Sequence, residues 1–321
     1  MTKRLLSSTA VAVLAMALLA QIAATQVPPP LEFDNYEQQR QIDRIVNAPE
    51  GCTDLVLAGT SLMGAAGNPE IVASSTQFSV RNVALGGGGP LIMVPWFDEV
   101  VEPHLCPTTV VIGLGPRDAN DNFVDQEATV TRYLESKGRP HLIGTAGAVQ
   151  QIDRWLSRNV GFFSLRSAYR RPATALAFAL NGSGNWRETS GADGRITAFD
   201  DIVYSEDQAR EERIALGSMR DFATGGRNFA AVETLISNLQ ENNVEVILVD
   251  MPRVEGAVDR IIGPERIDQY EAAMADLADR SAIPLLQADE SLTETQLFAD
   301  EWHLNSEGSN AFSTWLAENL R

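Results

Sequence analysis

Histidine and cysteine are scarce in this 321-residue sequence, with three of the first and two of the second. The histidines are scattered at His104, His141 and His303, so the chain offers no ligand cluster of the kind zinc requires, and no metal or other cofactor is expected. Positive charge is also short: 25 Lys and Arg stand against 43 Asp and Glu, a formal net charge of −18. A surface of that sign repels nucleic acid and anionic membrane, and neither is expected as a partner. The sequence has no fixed-period repeat and no long low-complexity tract, which sets aside solenoids and arrays. What remains, 44% hydrophobic and 21% charged, suits a packed globule of one large domain or two small ones.

Near the N-terminus, Lys3 and Arg4 precede an uncharged apolar stretch over 5–20, and the small residues Ala23 and Ala24 follow. This is the pattern of an export signal. Cleavage after Ala24 places Ile22 where a small residue is usual, so retention as an uncleaved anchor stays open. Residues 1–24 are therefore read as signal peptide or membrane anchor. Residues 25–50 form a spacer and lead-in stiffened by Pro28, Pro29 and Pro30, and 51–321 form the folded domain. On either reading that domain lies outside the cytoplasm, in periplasm or medium or anchored facing outward, and touches a membrane only through its first segment.

The cysteines are informative by position. Cys52 precedes an apolar run at 54–58, and Cys106 precedes another at 108–113. If the two runs are adjacent parallel strands, the cysteines lie side by side at one edge of the sheet, and a Cys52–Cys106 disulfide is predicted for an oxidising compartment. Two free buried thiols are the alternative.

Apolar, β-branched runs at 54–58, 78–84, 109–114, 244–249 and 283–287 read as strands. Between them, apolar residues at helical spacing predict helices over 91–101, 127–136, 146–157, 228–242 and 264–280, with a closing helix over 306–320. Alternation of this kind gives a parallel sheet with helices on both faces, and ligands of such sheets bind at the carboxyl ends of the strands. The stretch 181–227 breaks the alternation, being rich in Gly, Ser, Asn and Asp and then largely polar. It is read as an insertion, either a substrate wall or lid or a surface excursion. Arg166, Arg170 and Arg171 just before it either grip an anionic group or pair with local carboxylates.

Chemistry is suggested by two places far apart in the chain. The run Leu-Val-Leu-Ala-Gly-Thr-Ser delivers the Ser61 hydroxyl to a strand's end, and Asp300-Glu301-Trp302-His303 sets a carboxylate beside the last histidine. A serine, a histidine and an aspartate that meet on folding are the minimum for acyl transfer through a serine ester.

In these blocks the sequence resembles the SGNH (GDSL-type) hydrolases, from about Cys52 to the end. Gly59-Thr60-Ser61 resembles the first block, with Ser61 in the nucleophile's place. Asn82-Val83-Ala84-Leu85-Gly86 resembles the second, in which a glycine amide helps bind the oxyanion. Gly115-Pro116-Arg117-Asp118 resembles the third, and Asp300-x-x-His303 the last. The resemblance implies a three-layer α/β/α sandwich with a five-stranded parallel, flavodoxin-like sheet. It implies an esterase or acyl hydrolase with Ser61, His303 and Asp300 as its triad, and Gly86, Arg117, Asn120 and Asp118 as oxyanion and substrate-binding residues. Two positions depart from the family pattern. Thr60 replaces the aspartate before the nucleophile, and Arg117 replaces the third block's asparagine, an oxyanion donor. The donors are therefore ranked as the Ser61 amide, the Gly86 amide, then Arg117 or nearby Asn120.

Export points to an acylated envelope or extracellular glycan or lipid as substrate. Other outcomes compete with hydrolysis: transfer of the acyl group to a polysaccharide hydroxyl, or a catalytically silent glycan-binding module of the same fold. A calcium site using Asp118, Asp121 and Asp125 is a weaker reading, because the run lacks the glycine and terminal glutamate of a calcium loop. His104 and His141 lie near prolines at the start of apolar runs and are read as surface or boundary residues.

Overall fold

A computed structural model describes residues 36–49, 51–122, 194–204, 222–254 and 256–320. The N-terminal segment, the helices predicted over 127–136 and 146–157, Asp125, His141, Arg166, Arg170, Arg171 and most of the insertion lie outside the described residues.

Five strands form one sheet: β1 (Leu55–Gly59), β2 (Val80–Asn82), β3 (Thr109–Leu114), β4 (Glu245–Asp250) and β5 (Leu285–Gln287). Their order is β2-β1-β3-β4-β5 and every pairing is parallel. This is the flavodoxin-like order, and the chain is a three-layer α/β/α sandwich, as expected. β1 and the central residues of β3 and β4 are apolar without alternation because helices cover both faces, and Leu55, Val56, Leu57, Val110, Val111, Ile112, Leu248 and Val249 are fully buried.

The helices, in chain order, are α1 (Tyr36–Val46), α2 (Ser61–Ala66), α3 (Pro69–Thr76), α4 (Pro90–Trp96), α5 (Glu102–Leu105), α6 (Pro116–Ala119), α7 (Arg227–Glu241), α8 (Ala257–Ile262), α9 (Pro264–Ser281) and α10 (Ser306–Asn319). α10 packs on α2 and α3, while α7 packs on α4 and α9. The helix predicted over 91–101 is longer and less regular than its periodicity suggests. It widens to a π-helix at Phe97–Val101 between α4 and α5, and is flanked by Pro95 and Pro103, which each remove an intrahelical donor.

The outer strands are shorter than the runs 78–84 and 283–287 predict. Beyond Asn82 the chain stays beside β1 through single bonds, Val83 N to Leu57 O at 2.9 Å and Leu85 N to Gly59 O at 3.0 Å. At the opposite end of the sheet, Cys52 and Cys106 form the predicted disulfide, with Cα atoms 4.9 Å apart. The pairing of Leu55 with Thr109 brings them together, and Thr53 N to Leu105 O at 2.8 Å closes the same corner. Among the described residues no helix is long and apolar enough to cross a membrane.

Candidate active site

β1 stops at a position only glycine fits. Gly59 has φ +153°, and a Cβ there would lie 2.7 Å from the Gly113 carbonyl oxygen and 2.8 Å from Met63 Cβ. Its register partner on β3 is Gly113 itself, so two glycines side by side let the chain turn sharply into α2. Thr60 caps that helix, its hydroxyl accepting from the Leu62 amide at 3.3 Å, and Ser61 is the first helical residue. The Ser61 amide therefore has no acceptor one turn back.

His303 reaches Ser61 from 242 positions away: Nε2 lies 2.8 Å from Ser61 Oγ. Its Nδ1 lies 2.9 and 2.8 Å from the two carboxylate oxygens of Asp300. With the carboxylate at Nδ1 the ring proton belongs there, which leaves Nε2 to accept from the Ser61 hydroxyl. The Asp-x-x-His spacing is explained by the turn it builds. Asp300 Oδ1 also accepts the amides of Trp302 and His303, both at 2.8 Å, and Ala299 N donates to His303 O while Phe298 bridges Leu304. Burial opposes ionisation of Asp300, but the hydrogen bond and charge of His303 and the two amides outweigh it and hold its carboxyl below the usual range.

Two serines on α10 tie the halves together. Ser309 and Ser313 Oγ both donate to Ala66 O at the end of α2, at 3.0 and 3.1 Å, and Ser313 Oγ accepts from Asn68 N. Asn82 fixes the second block to the same helix, its Nδ2 donating to the carbonyls of Met63 and Gly67 at 3.0 and 2.8 Å. Gly86 lies half-buried in the turn that follows, just past the Leu85–Gly59 bond, and so on the rim that carries Ser61.

The third block differs from expectation. Asp118 faces inward: one of its oxygens accepts from Thr60 Oγ1 and from the Gly115 amide, each at 3.1 Å. Asn120, expected as a reserve oxyanion donor, is 0% exposed, and its Oδ1 accepts the amides of Asn122 and Ala223 at 3.1 Å. Both therefore brace loops rather than offer themselves to a substrate. Arg117 is half-buried at the start of α6, and its charge lowers the carboxyl of Asp118 against the larger opposing effect of burial. Asp121 accepts the amides of Gly226 and Asn228, both at 2.8 Å, and so caps α7, while Asp125, the third carboxylate of the calcium reading, lies outside the described residues. No group of three or more potential metal ligands occurs among the described residues. His104 is exposed, as expected of a surface residue, its Nδ1 bonded to Val100 O at 2.8 Å, and lies beside Cys106 at the end of the sheet away from Ser61.

One residue at the centre of the site is invisible to motif reading. Phe199, in the insertion, lies flat on the imidazole of His303, with ring centroids 4.0 Å apart and planes 6° from parallel. An aromatic residue in a polar stretch is the only sequence signal it gives.

No family model matches the chain, and no curated protein matches it. Solved structures do resemble it. A lipase/acylhydrolase from Enterococcus faecalis is 12% identical, with 84% of this chain and 95% of that one covered and a TM-score of 0.42. A GDSL-like lipase from Bacteroides thetaiotaomicron is 12% identical, covering 89% and 98%, at 0.39. An active-site mutant of a family two carbohydrate esterase from Clostridium thermocellum is 12% identical, covering 85% and 64%, at 0.40. Likeness at this level leaves the chemistry to be read from the site itself.

Proposed function

We propose that the protein is an SGNH-type serine hydrolase that cleaves carboxylic esters through an acyl-serine intermediate. The observation that carries this is the Ser61–His303–Asp300 chain of hydrogen bonds, with Nε2 2.8 Å from Oγ and Nδ1 2.8 Å from the carboxylate. Nucleophile, base and orienting group are each within hydrogen-bonding reach of the next, which is the geometric requirement for activating a serine.

In the first step Ser61 Oγ attacks the ester carbonyl as its proton passes to Nε2, and Asp300 offsets the imidazolium charge. The carbonyl oxygen becomes an oxyanion facing the Ser61 and Gly86 amides, with Arg117 as a third donor in place of the family's asparagine. Collapse expels the alcohol, which takes the proton from Nε2 and leaves Ser61 acylated. Water then attacks the acyl-serine, giving its proton to Nε2, and the second collapse returns that proton to Ser61 Oγ and releases the acid.

The substrate class follows from compartment. Lys3, Arg4 and the apolar run after them suit export, and the Cys52–Cys106 disulfide suits an oxidising environment. An acylated envelope or extracellular glycan or lipid fits that location. Hydrolysis of a short-chain p-nitrophenyl ester tests the chemistry: wild-type protein turns it over, and Ser61→Ala lowers kcat by about 10³-fold or more. Equal turnover by the two proteins would contradict the assignment.

A further inference from the structure

The segment 194–204 is anchored to three of the blocks that build the site. Gly194, at φ +92°, runs so close to the second block that a Cβ would lie 2.2 Å from Asn82 O. Ile196 N donates to Gly64 O of the nucleophile's helix at 2.8 Å. Arg195 holds Asp200 through two guanidinium bonds of 2.7 and 2.5 Å, and Asp200 O in turn accepts from Ser306 Oγ at 3.1 Å. Tyr204 N donates to Phe298 O at 2.8 Å, in the turn that carries Asp300. Phe199 lies between these anchors, flat on His303.

We propose that Phe199 is a positioning residue for the base: it keeps the His303 imidazole in the plane that aims Nε2 at Ser61 Oγ throughout the cycle. The proposal rests on the reading of Ser61, His303 and Asp300 as a triad. Asp300 grips the ring only along its Nδ1 edge, which fixes distance and tautomer but leaves the ring free to tip about that edge. A parallel aromatic face at van der Waals distance removes this freedom without using a polar group. It also excludes water from one face of the imidazole. Nε2 must deliver its proton first to the leaving alcohol and later back to Ser61, so a ring that swings loses both steps.

The test uses the full chain and a p-nitrophenyl ester series, with thermal melts to confirm folding. Phe199→Leu, which keeps apolar bulk but not the flat face, lowers kcat about 10- to 100-fold, the cost of a small misalignment of a catalytic group, while KM stays within about twofold. The fractional loss is the same for acetyl and butyryl esters, because the effect passes through the base. Phe199→Tyr restores kcat to within about threefold of wild type. On a His303→Ala background Phe199→Leu adds no further loss, since the group it positions is gone. Gly194→Ala, which forces the strap away from Asn82, reproduces the kcat-only loss and serves if Phe199→Leu does not fold. Folded Phe199→Leu or Gly194→Ala with wild-type kcat overturns the proposal, and so does a loss confined to KM that varies with acyl chain. If wild-type protein hydrolyses esters through Ser61 yet ignores these changes, only this inference falls. If wild type shows no Ser61-dependent turnover, the reading beneath it falls as well.

Discussion

Thr60 and Asp118, 58 positions apart, are joined by a 3.1 Å hydrogen bond that links the turn after β1 to the turn after β3. The residue beside the nucleophile is thereby braced to the third block, and the brace has a pH signature. Burial pushes the Asp118 carboxyl up to about 6, against the pull of Arg117, the Gly115 amide and Thr60. In the unfolded chain the same group titrates near 3.8. The native state therefore binds this proton more tightly, so the contribution of Asp118 to stability is greatest at low pH and declines as pH rises between about 4 and 6, by roughly 3 kcal/mol. Asp118→Asn keeps an acceptor and has no charge to bury. Its stability relative to wild type should improve by a figure of that order between pH 4 and pH 7.5 in urea unfolding, whereas a pH-independent difference would show that Asp118 does not carry the raised value.

Asp300 has the opposite sign. Its carboxyl is held below 3.8, so the stability it contributes is present above that pH and is lost as pH falls through the lower folded value. Asp300→Asn should therefore be least destabilising, relative to wild type, in acid. At neutral pH it should lose about 10³- to 10⁴-fold in kcat, because an amide neither fixes the tautomer nor offsets the imidazolium. Steady-state kinetics together with denaturation at pH 3 and pH 7 separate the two effects.

Arg253 supports the rim further along the sheet. It pairs with buried Asp250 at 3.2 Å and with Glu271, while Asp250 also receives the Tyr270 hydroxyl at 2.8 Å. Arg253→Met strips the charge partner from a carboxylate that is 8% exposed, and should cost about 3 kcal/mol. Chemical denaturation measures this directly, and a loss well under 1 kcal/mol would mean that Asp250 is already neutral in the folded protein.

The disulfide joins residues 54 apart in sequence, and chain entropy assigns a loop of that length about 4 kcal/mol. Replacing Cys52 and Cys106 by serine together should lower the melting temperature while leaving KM unchanged, since the bond sits at the end of the sheet opposite Ser61. A fall in kcat at a temperature where the variant is fully folded would show that this corner is coupled to the site.

Much of this was legible in the sequence, for reasons that can be named. Ser61 stands out because it follows the glycine turn that ends β1, and Asp300 and His303 because the turn that Asp300 caps sets their spacing and histidine is so rare here. The cysteine pairing followed from two strands in parallel register. The inward turn of Asp118 and Asn120 was not legible, since each also serves a partner that only the fold brings near, the Thr60 hydroxyl for Asp118 and the Ala223 amide for Asn120. Phe199 was hidden for a similar reason. The strap that carries it is held in large part by main-chain bonds, Ile196 to Gly64 and Tyr204 to Phe298, which almost any side chains could accompany. The π-helical widening at Phe97–Val101 likewise leaves no mark in apolar spacing.

The most direct measurement is covalent labelling of the folded wild-type protein with a fluorophosphonate, followed by peptide mapping. A single adduct on Ser61, slowed strongly in His303→Ala and absent in Ser61→Ala, is the predicted result. A folded protein that takes no label, or takes it at another serine, would contradict the acyl-serine mechanism.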